Sequence, residues 1–432
     1  MKEQFLSIKE AKIQEKGDVA IRGWIYRVRS SKKLAFIVLR DVTGIIQCVV
    51  EKEKVGEELF LKADKLQIET SMEIKGVIKA DERAPGGYEI SVTEFNIVGE
   101  SHEFPIQKDQ SPEFLLDIRH LSIRSRRMQA IFKIRSKYIQ TREEFFTKEG
   151  FYRFDTPILQ PSQSEGGSTL FEVNYYGSKT YLAQTWQLYG EAAIQSLEKV
   201  YNMGPTFRAE KSKTSRHLSE FWMAEMEAAW FDLKQISEFA KKELKYCIKK
   251  VAQDCKEEFE LLGQDPKKLL EMCEKDWPTI KYREALKLIK EKDGIEVDFG
   301  KDLRTEEEKA ITSHFDTPIV VTHYPVEAMA FYKPKDPEYP DEALCFDMLA
   351  PNGVEIVGGS QRSMDVEDMK KRLEADGEDV KNYDWYFDLR KYGGVPHSGY
   401  GIGIERVIAW ITGLDNIKDA IAFPRTMLRW KP

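Results

Sequence analysis

Cysteine is scarce in this chain. Five cysteines (Cys48, Cys247, Cys255, Cys273 and Cys345) are scattered through 432 residues, and no two form a C-x-x-C pair. That spacing excludes a disulfide framework and a zinc ribbon, and it suits a reducing cytosol. Long apolar runs are missing as well: none approaches the roughly 20 residues that cross a bilayer. The opening segment MKEQFLSIKE has no apolar signal core. The expected location is therefore cytoplasmic, without a membrane partner. Excess positive charge is also lacking. Lys and Arg number 66 against 73 Asp and Glu, a net charge of −7, which argues against indiscriminate coating of nucleic acid, DNA included. A polyanionic partner has to dock on a local basic patch.

What is present reads as a globular protein, 41% hydrophobic and 11% aromatic. Its length exceeds one ordinary core and predicts two or three domains. From about Asp18 to Val98, β-branched and apolar runs predict five short strands, Val19–Tyr26, Ala35–Asp41, Ile45–Val50, Met72–Ala80 and Tyr88–Ile97. Thr43-Gly44 and Pro85-Gly86-Gly87 break them, and a helix over Gly56–Leu66 follows the third. Five strands with a helix in that place match the OB-fold order, here over residues 1–103. Between Arg22 and Arg40 lie six basic residues and no acidic one, with Phe36 among them. Two readings stay open: a stacking surface for unpaired bases, or a strand edge kept soluble by charge.

Residues 104–125 contain Pro105 and Pro112 and read as a hinge. Beyond it, strands and helices alternate irregularly, which predicts an antiparallel α+β sheet over 126–432. Gln129–Glu149 has helical spacing, and a charged helical insertion is expected at about 232–280.

Two distant segments carry the chemistry. Phe207-Arg208-Ala209-Glu210 continues to Arg216-His217 and Glu220-Phe221, and Gly399-Tyr-Gly401-Ile-Gly403-Ile-Glu405-Arg406 lies near the end of the chain. Strand periodicity puts Arg208 and Glu210 on one face. Guanidinium groups suit phosphates because their planar donors bind two oxygens and stay charged. The alternating glycines leave one strand face bare for a flat ligand, while Tyr400, Ile402 and Ile404 pack inward. The pattern G-x-G-x-G is not the dinucleotide fingerprint G-x-G-x-x-G.

Together these segments resemble motifs 2 and 3 of the class II aminoacyl-tRNA synthetases, and Gly150 through Pro157-Ile-Leu resembles motif 1, whose proline lies at the dimer interface. The N-terminal barrel is similar to the anticodon-binding domain of the aspartyl, asparaginyl and lysyl subgroup. The signatures of the other synthetase class, HIGH and KMSKS, are missing. The resemblance implies that Arg208 and Arg406 are catalytic and that Arg208, Glu210, Arg216, His217, Phe221, Glu355, Gly403 and Arg406 bind ATP. Asp347 and Glu355 resemble carboxylates that position Mg²⁺. A serine three residues after that glutamate also binds the metal in aspartyl enzymes, and Gly358 stands there here. Glu165, Ser168 and Gln187 resemble the residues that receive the α-amino group. Anticodon contacts are expected at Arg29, Phe36 and Gln47.

The run Gln184-Thr-Trp-Gln187-Leu-Tyr-Gly190-Glu191 resembles an aspartyl loop Q-S-P-Q-L-Y-K-Q, whose lysine meets the substrate carboxylate; Gly190 stands in its place. A lysine restored at position 190 is expected to weaken asparagine activation and admit aspartate. Glu225 follows motif 2 where aspartyl enzymes usually have aspartate, and a carboxylate there can accept the NH₂ of asparagine and repel aspartate. Arg362 can donate to the carbonyl oxygen. Gly190, Glu225 and Arg362 complete the expected amino-acid set. Pro396-His-Ser-Gly-Tyr-Gly and the ending Phe423-Pro-Arg-Thr426 also resemble asparaginyl enzymes of the archaeal type. The resemblance implies ATP-dependent ligation of L-asparagine to tRNA(Asn) by a homodimer. The alternatives are aspartyl-tRNA ligation and a tRNA-independent asparagine synthetase on the same fold.

Overall fold

The computed structural model describes residues 4–106, 108–161, 169–211 and 217–431. The chain divides into two compact units, Met1–Leu116 and Asp117–Pro432.

In the first unit, strands β1 (Gly17–Ser30), β2 (Leu34–Arg40), β3 (Ile45–Glu51), β4 (Ser71–Ala80) and β5 (Tyr88–Gly99) close a barrel in the order β1-β2-β3-β5-β4. The OB-fold order expected from the sequence is therefore present, with helices Lys52–Val55 and Glu57–Asp64 between β3 and β4. Strand β1 runs further than its apolar pattern predicts. It pairs with both β2 and β4, and a bulge between Ile25 and Arg27 lets it bend around the barrel. Ala35, Ile37 and Leu39 fill the core, so Phe36 and Val38 point outward. Helix Ile8–Gln14 was not expected. Its start is nonetheless written in the sequence as a capping box, Ser7 with Glu10.

The second unit opens with helices Pro112–Asp117 (its first residues belonging to the first unit), Arg119–Ser122 and Arg126–Lys148, so the segment 104–125 carries two short helices. Strands β6 (Tyr152–Arg153), β10 (Lys199–Phe207), β11 (Glu220–Ala229), β12 (Thr279–Lys281), β13 (Ile319–Thr322), β14 (Cys345–Ala350), β15 (Val354–Gln361) and β16 (His397–Gly403) form one sheet. Its order is β12-β13-β14-β15-β16-β11-β10-β6. The six central strands are antiparallel, as the sequence predicts. The edge pairs β12/β13 and β6/β10 are parallel, so the sheet is mixed. A small sheet of β7 (Leu159–Gln160), β8 (Glu172–Tyr175) and β9 (Ser178–Leu182) stands apart from it.

The main core lies between this sheet and three helices, Arg126–Lys148, Leu233–Asp254 and Ile404–Thr412. Helix Leu233–Asp254 falls within the stretch read as a charged insertion. It is integral to the core: Ile236, Phe239, Leu244 and Ile248 form its buried stripe, and its lysines occupy much of the rest of the surface. Arg142 braces the reverse side of the sheet. Its guanidinium donates to Glu243 at 2.7 Å and to the main-chain carbonyls of Asn202 (3.2 Å) and Glu225 (3.3 Å), while the Tyr400 hydroxyl also donates to Glu243.

Candidate functional site

The pairing of β11 with β16 builds the floor of the cleft. Met223, Glu225 and Glu227 lie opposite Gly403, Gly401 and Gly399. Tyr400, Ile402 and Ile404 turn into the core, as their alternation predicts. A Cβ on Gly401 would stand 3.1 Å from the Met223 sulfur, and one on Gly399 would meet the Glu227 carboxylate at 2.1 Å. The bare face therefore opens onto the cleft at Gly401 and Gly403. At Gly399 it makes room for Glu227.

One end of the cleft is lined by Arg208, Glu210, His217, Phe221, Gly403 and Arg406. Arg208 follows the end of β10, its N–H donating to Ser219, and its guanidinium carbon stands 5.6 Å from the Phe221 ring centre. Its Nε is buried without a hydrogen-bond partner. Such a donor invites an anionic ligand, because an unmatched buried N–H is costly. Arg406 donates from Nη1 to the Glu355 carboxylate at 3.0 Å; burial raises that carboxyl, but Arg406, joined by Arg208 and Lys333, holds it below its usual value. His217 lies 3.6 Å from Glu210. Arg216, Glu165 and Ser168 lie outside the described residues.

Asp347 and Glu355 converge on Gly358. A Cβ there would sit 3.1 Å from Glu355 Oε1 and 3.5 Å from Asp347 Oδ1. Burial, then the neighbouring Glu355, pushes the Asp347 carboxyl well above its ordinary value. Two half-buried carboxylates converging in this way favour a cation between them. Among the described residues no cluster of three or more His, Cys, Asp or Glu is arranged to hold a metal alone. The pair fits Mg²⁺ all the same, since that ion takes one or two carboxylates and fills its shell with water and phosphate oxygens.

The other end is a polar cavity of about 290 Å³ whose walls include Thr185, Gln187, Glu225, Tyr332 and Arg362. Glu225 accepts from the Thr185 hydroxyl and from the Trp186 N–H at 2.9 Å. Arg362 is clamped by Glu227: Nε lies 3.1 and 3.2 Å from its two oxygens, Nη2 donates to it as well, and Nη1 reaches Ser360 at 2.8 Å. Gln187 donates to Glu191 at 2.9 Å.

Gly190 does not sit on the cavity wall. A Cβ at that position would meet the Trp186 ring at 2.2 Å. The indole is buried beside Ile194 and Val200 and donates to the Phe154 carbonyl at 2.7 Å. Trp186 thus fills the space that a side chain at position 190 would need.

Asp302, Lys333, Thr185 and Glu227 were missed by sequence reasoning. The first three reach the cavity from loops, where no periodicity marks a side chain's direction. Glu227 shares the strand face of Glu225, a period-two signal that was there to be read.

On the barrel, Arg29 pairs with Phe36 across β1/β2, and its guanidinium carbon lies 4.6 Å from the ring centre. Gln47, one strand over, donates to Glu89 at 3.2 Å. All three project from the same outer face, which also carries the exposed Trp24 opposite Arg40.

Comparison with known proteins decides the family. Residues 111–427 match the model for tRNA synthetases class II (D, K and N), and residues 19–98 match the OB-fold nucleic acid binding domain. The chain belongs to the class II tRNA synthetases. It is 45% identical to the asparagine–tRNA ligase of Thermoplasma acidophilum, covering 96% of both chains. The asparaginyl-tRNA synthetase of Pyrococcus horikoshii, solved with asparaginyl-adenylate, superposes with a TM-score of 0.96 at 44% identity, covering 99% of this chain and 100% of that one. The asparaginyl-tRNA synthetase of Entamoeba histolytica, also with asparaginyl-adenylate, gives 0.85 at 30% identity over 96% of each chain.

Proposed function

We propose that this synthetase ligates L-asparagine to tRNA(Asn), using ATP and passing through an asparaginyl-adenylate. One observation carries the choice of amino acid: Glu225, buried in the cavity, faces an Arg362 whose charge Glu227 already neutralises. A neutral carboxamide can donate its NH₂ to Glu225 and accept from Arg362. An aspartate carboxylate would meet a buried like charge, which is costly in a desolvated site.

In the first step the asparagine α-carboxylate attacks the α-phosphorus of ATP, and the bond to pyrophosphate breaks. Arg208, with its unmatched Nε, is the donor for the α-phosphate oxygens. Arg406 and His217 hold the leaving phosphates, and Phe221 stacks on adenine above Gly403. Glu210 accepts from the adenine amino group, and Gln187, with Glu165 and Ser168, orients the α-amino group. Asp347 and Glu355 would hold Mg²⁺, which would neutralise charge on the phosphates. In the second step a hydroxyl of the tRNA 3′-terminal adenosine attacks the adenylate carbonyl and AMP leaves. Positioning and fixed charge carry both steps, without a side-chain nucleophile.

The outer barrel face with Arg29, Phe36 and Gln47 takes the anticodon, by stacking on the ring and by edge-on hydrogen bonds from the amide. A homodimer is supported by exposed apolar side chains around the motif 1 proline, namely Tyr152, Ile158 and Leu159. Work in the cytoplasm is supported by five buried, unpaired thiols. ATP–pyrophosphate exchange with each amino acid tests the proposal. Asparagine is expected to drive exchange far better than aspartate, and the reverse preference would overturn it.

A further inference from the structure

Glu191 is fully buried behind the cavity wall on helix Gln187–Leu197, and it is the hub of a dense polar cluster. The Tyr386 hydroxyl lies 2.8 Å from both of its oxygens, His397 Nε2 lies 2.8 Å from Oε2, and Arg390 donates to the same oxygen. On the cavity side, Gln187 donates to Oε1, and Arg362 Nε stands 3.9 Å away. Burial opposes ionisation here, yet Arg390, His397 and Arg362 hold this carboxyl well below its usual value, so Glu191 is an anion. Around the closed end of the cavity, three carboxylates (Glu191, Glu225, Glu227) thus face two guanidinium groups (Arg362, Arg390).

Arg362 is the cation best placed to attract a substrate carboxylate, and it already lies between two anions. Glu227 binds it through paired hydrogen bonds, and Glu191 approaches from the other side. Fields between buried charges at such distances are only weakly screened.

We infer that Glu191 is a specificity-determining residue that acts through Arg362, its buried charge cancelling the attraction that Arg362 would otherwise offer to the carboxylate of aspartate. It touches no substrate atom, so it is a positioning group in the electrostatic sense. The inference rests on the proposal that Arg362 meets the substrate side chain.

A purely structural role for Glu191 and an electrostatic one predict different results. In Glu191→Gln the shape and one acceptor remain but the negative charge is gone. The ratio of asparagine to aspartate kcat/KM in pyrophosphate exchange is expected to fall at least about tenfold, mostly by a gain for aspartate. Where aspartate turnover is too slow to follow, its inhibition constant against asparagine is read instead. In Arg390→Gln the charge of Glu191 is less compensated, so the ratio should hold or rise. A structural role would lower activity with both amino acids alike and move both variants in the same direction.

A folded Glu191→Gln variant with a ratio within about twofold of the parent overturns the inference. So does a fall of the ratio in Arg390→Gln, which keeps the test decisive if Glu191→Gln fails to fold. Glu225→Gln serves as the separate control. If its ratio stays put, the side-chain reading itself fails. If it drops while Glu191→Gln leaves the ratio unchanged, only the role of Glu191 is lost.

Discussion

At the scale of single residues, the cleft is defined by which polar atoms are satisfied and which are not. Arg208 Nε is buried and unmatched, whereas Arg362 has its charge paired with Glu227 and keeps spare N–H donors. The first awaits a charged ligand and the second can only assist a neutral one. Arg208→Ala should therefore lower the rate of pyrophosphate exchange by about 10²–10³, the usual cost of losing a donor to developing charge; stopped or steady-state exchange assays check this. A pH effect follows from Glu227, whose carboxyl is raised by burial, and further by Glu191, against the pull of Arg362. As pH falls, Glu227 takes up its proton before an ordinary carboxyl would, which leaves Arg362 with more net positive charge. Glu191 and Arg390, on the far side of Arg362, keep their charges. The preference for asparagine over aspartate should narrow between pH 8 and pH 6, as read from the exchange ratio at each pH. Period two made the bare face of Gly401 and Gly403 legible, whereas Glu225 and the role of Arg208 came from the resemblance to the synthetase motifs. Thr185 and Asp302 were not legible, since a loop side chain takes its direction from tertiary packing.

At the scale of elements, local pattern succeeded where it was clean. The barrel strands alternate regularly between turn residues, so their order could be read directly. Helix Leu233–Asp254 is as charged and helical as its sequence suggests, and it also buries a broad face that includes Ile236, Phe239, Leu244 and Ile248. The parallel edge strands β6 and β12 are two and three residues long, too short to show any period. The loop before helix Gln187–Leu197 corrects an expectation. Lysine at position 190 cannot simply restore an aspartyl-like pocket, because the Trp186 ring occupies its path. Gly190→Lys should destabilise the fold by about 1–3 kcal/mol through overpacking, seen as a lower midpoint in thermal denaturation, with activity lost for both amino acids. On the barrel, Phe36→Ala removes the ring that Arg29 covers. It should weaken tRNA charging by about five- to a hundredfold, as loss of about 1–3 kcal/mol of base stacking implies, and leave pyrophosphate exchange unchanged. Equal losses in both assays would speak against an anticodon role for this face.

At the scale of the whole molecule, the resemblance drawn from three motifs extends over nearly the full chain, as 96% coverage of a relative at 45% identity shows. Association of two copies belongs to this scale. Sedimentation at micromolar concentration should give twice the chain mass of 50.1 kDa, and Ile158→Glu should shift the molecule toward the single-chain mass by placing a charge among exposed apolar side chains. Arg142 ties the rear of the sheet to the cleft in front. It holds the main-chain oxygen of Glu225 itself, together with that of Asn202 on the adjoining strand. Random mutagenesis screened for altered amino-acid preference ought therefore to return hits on helix Arg126–Lys148, remote from any ligand, since a slackened anchor there would let the selecting carboxylate drift.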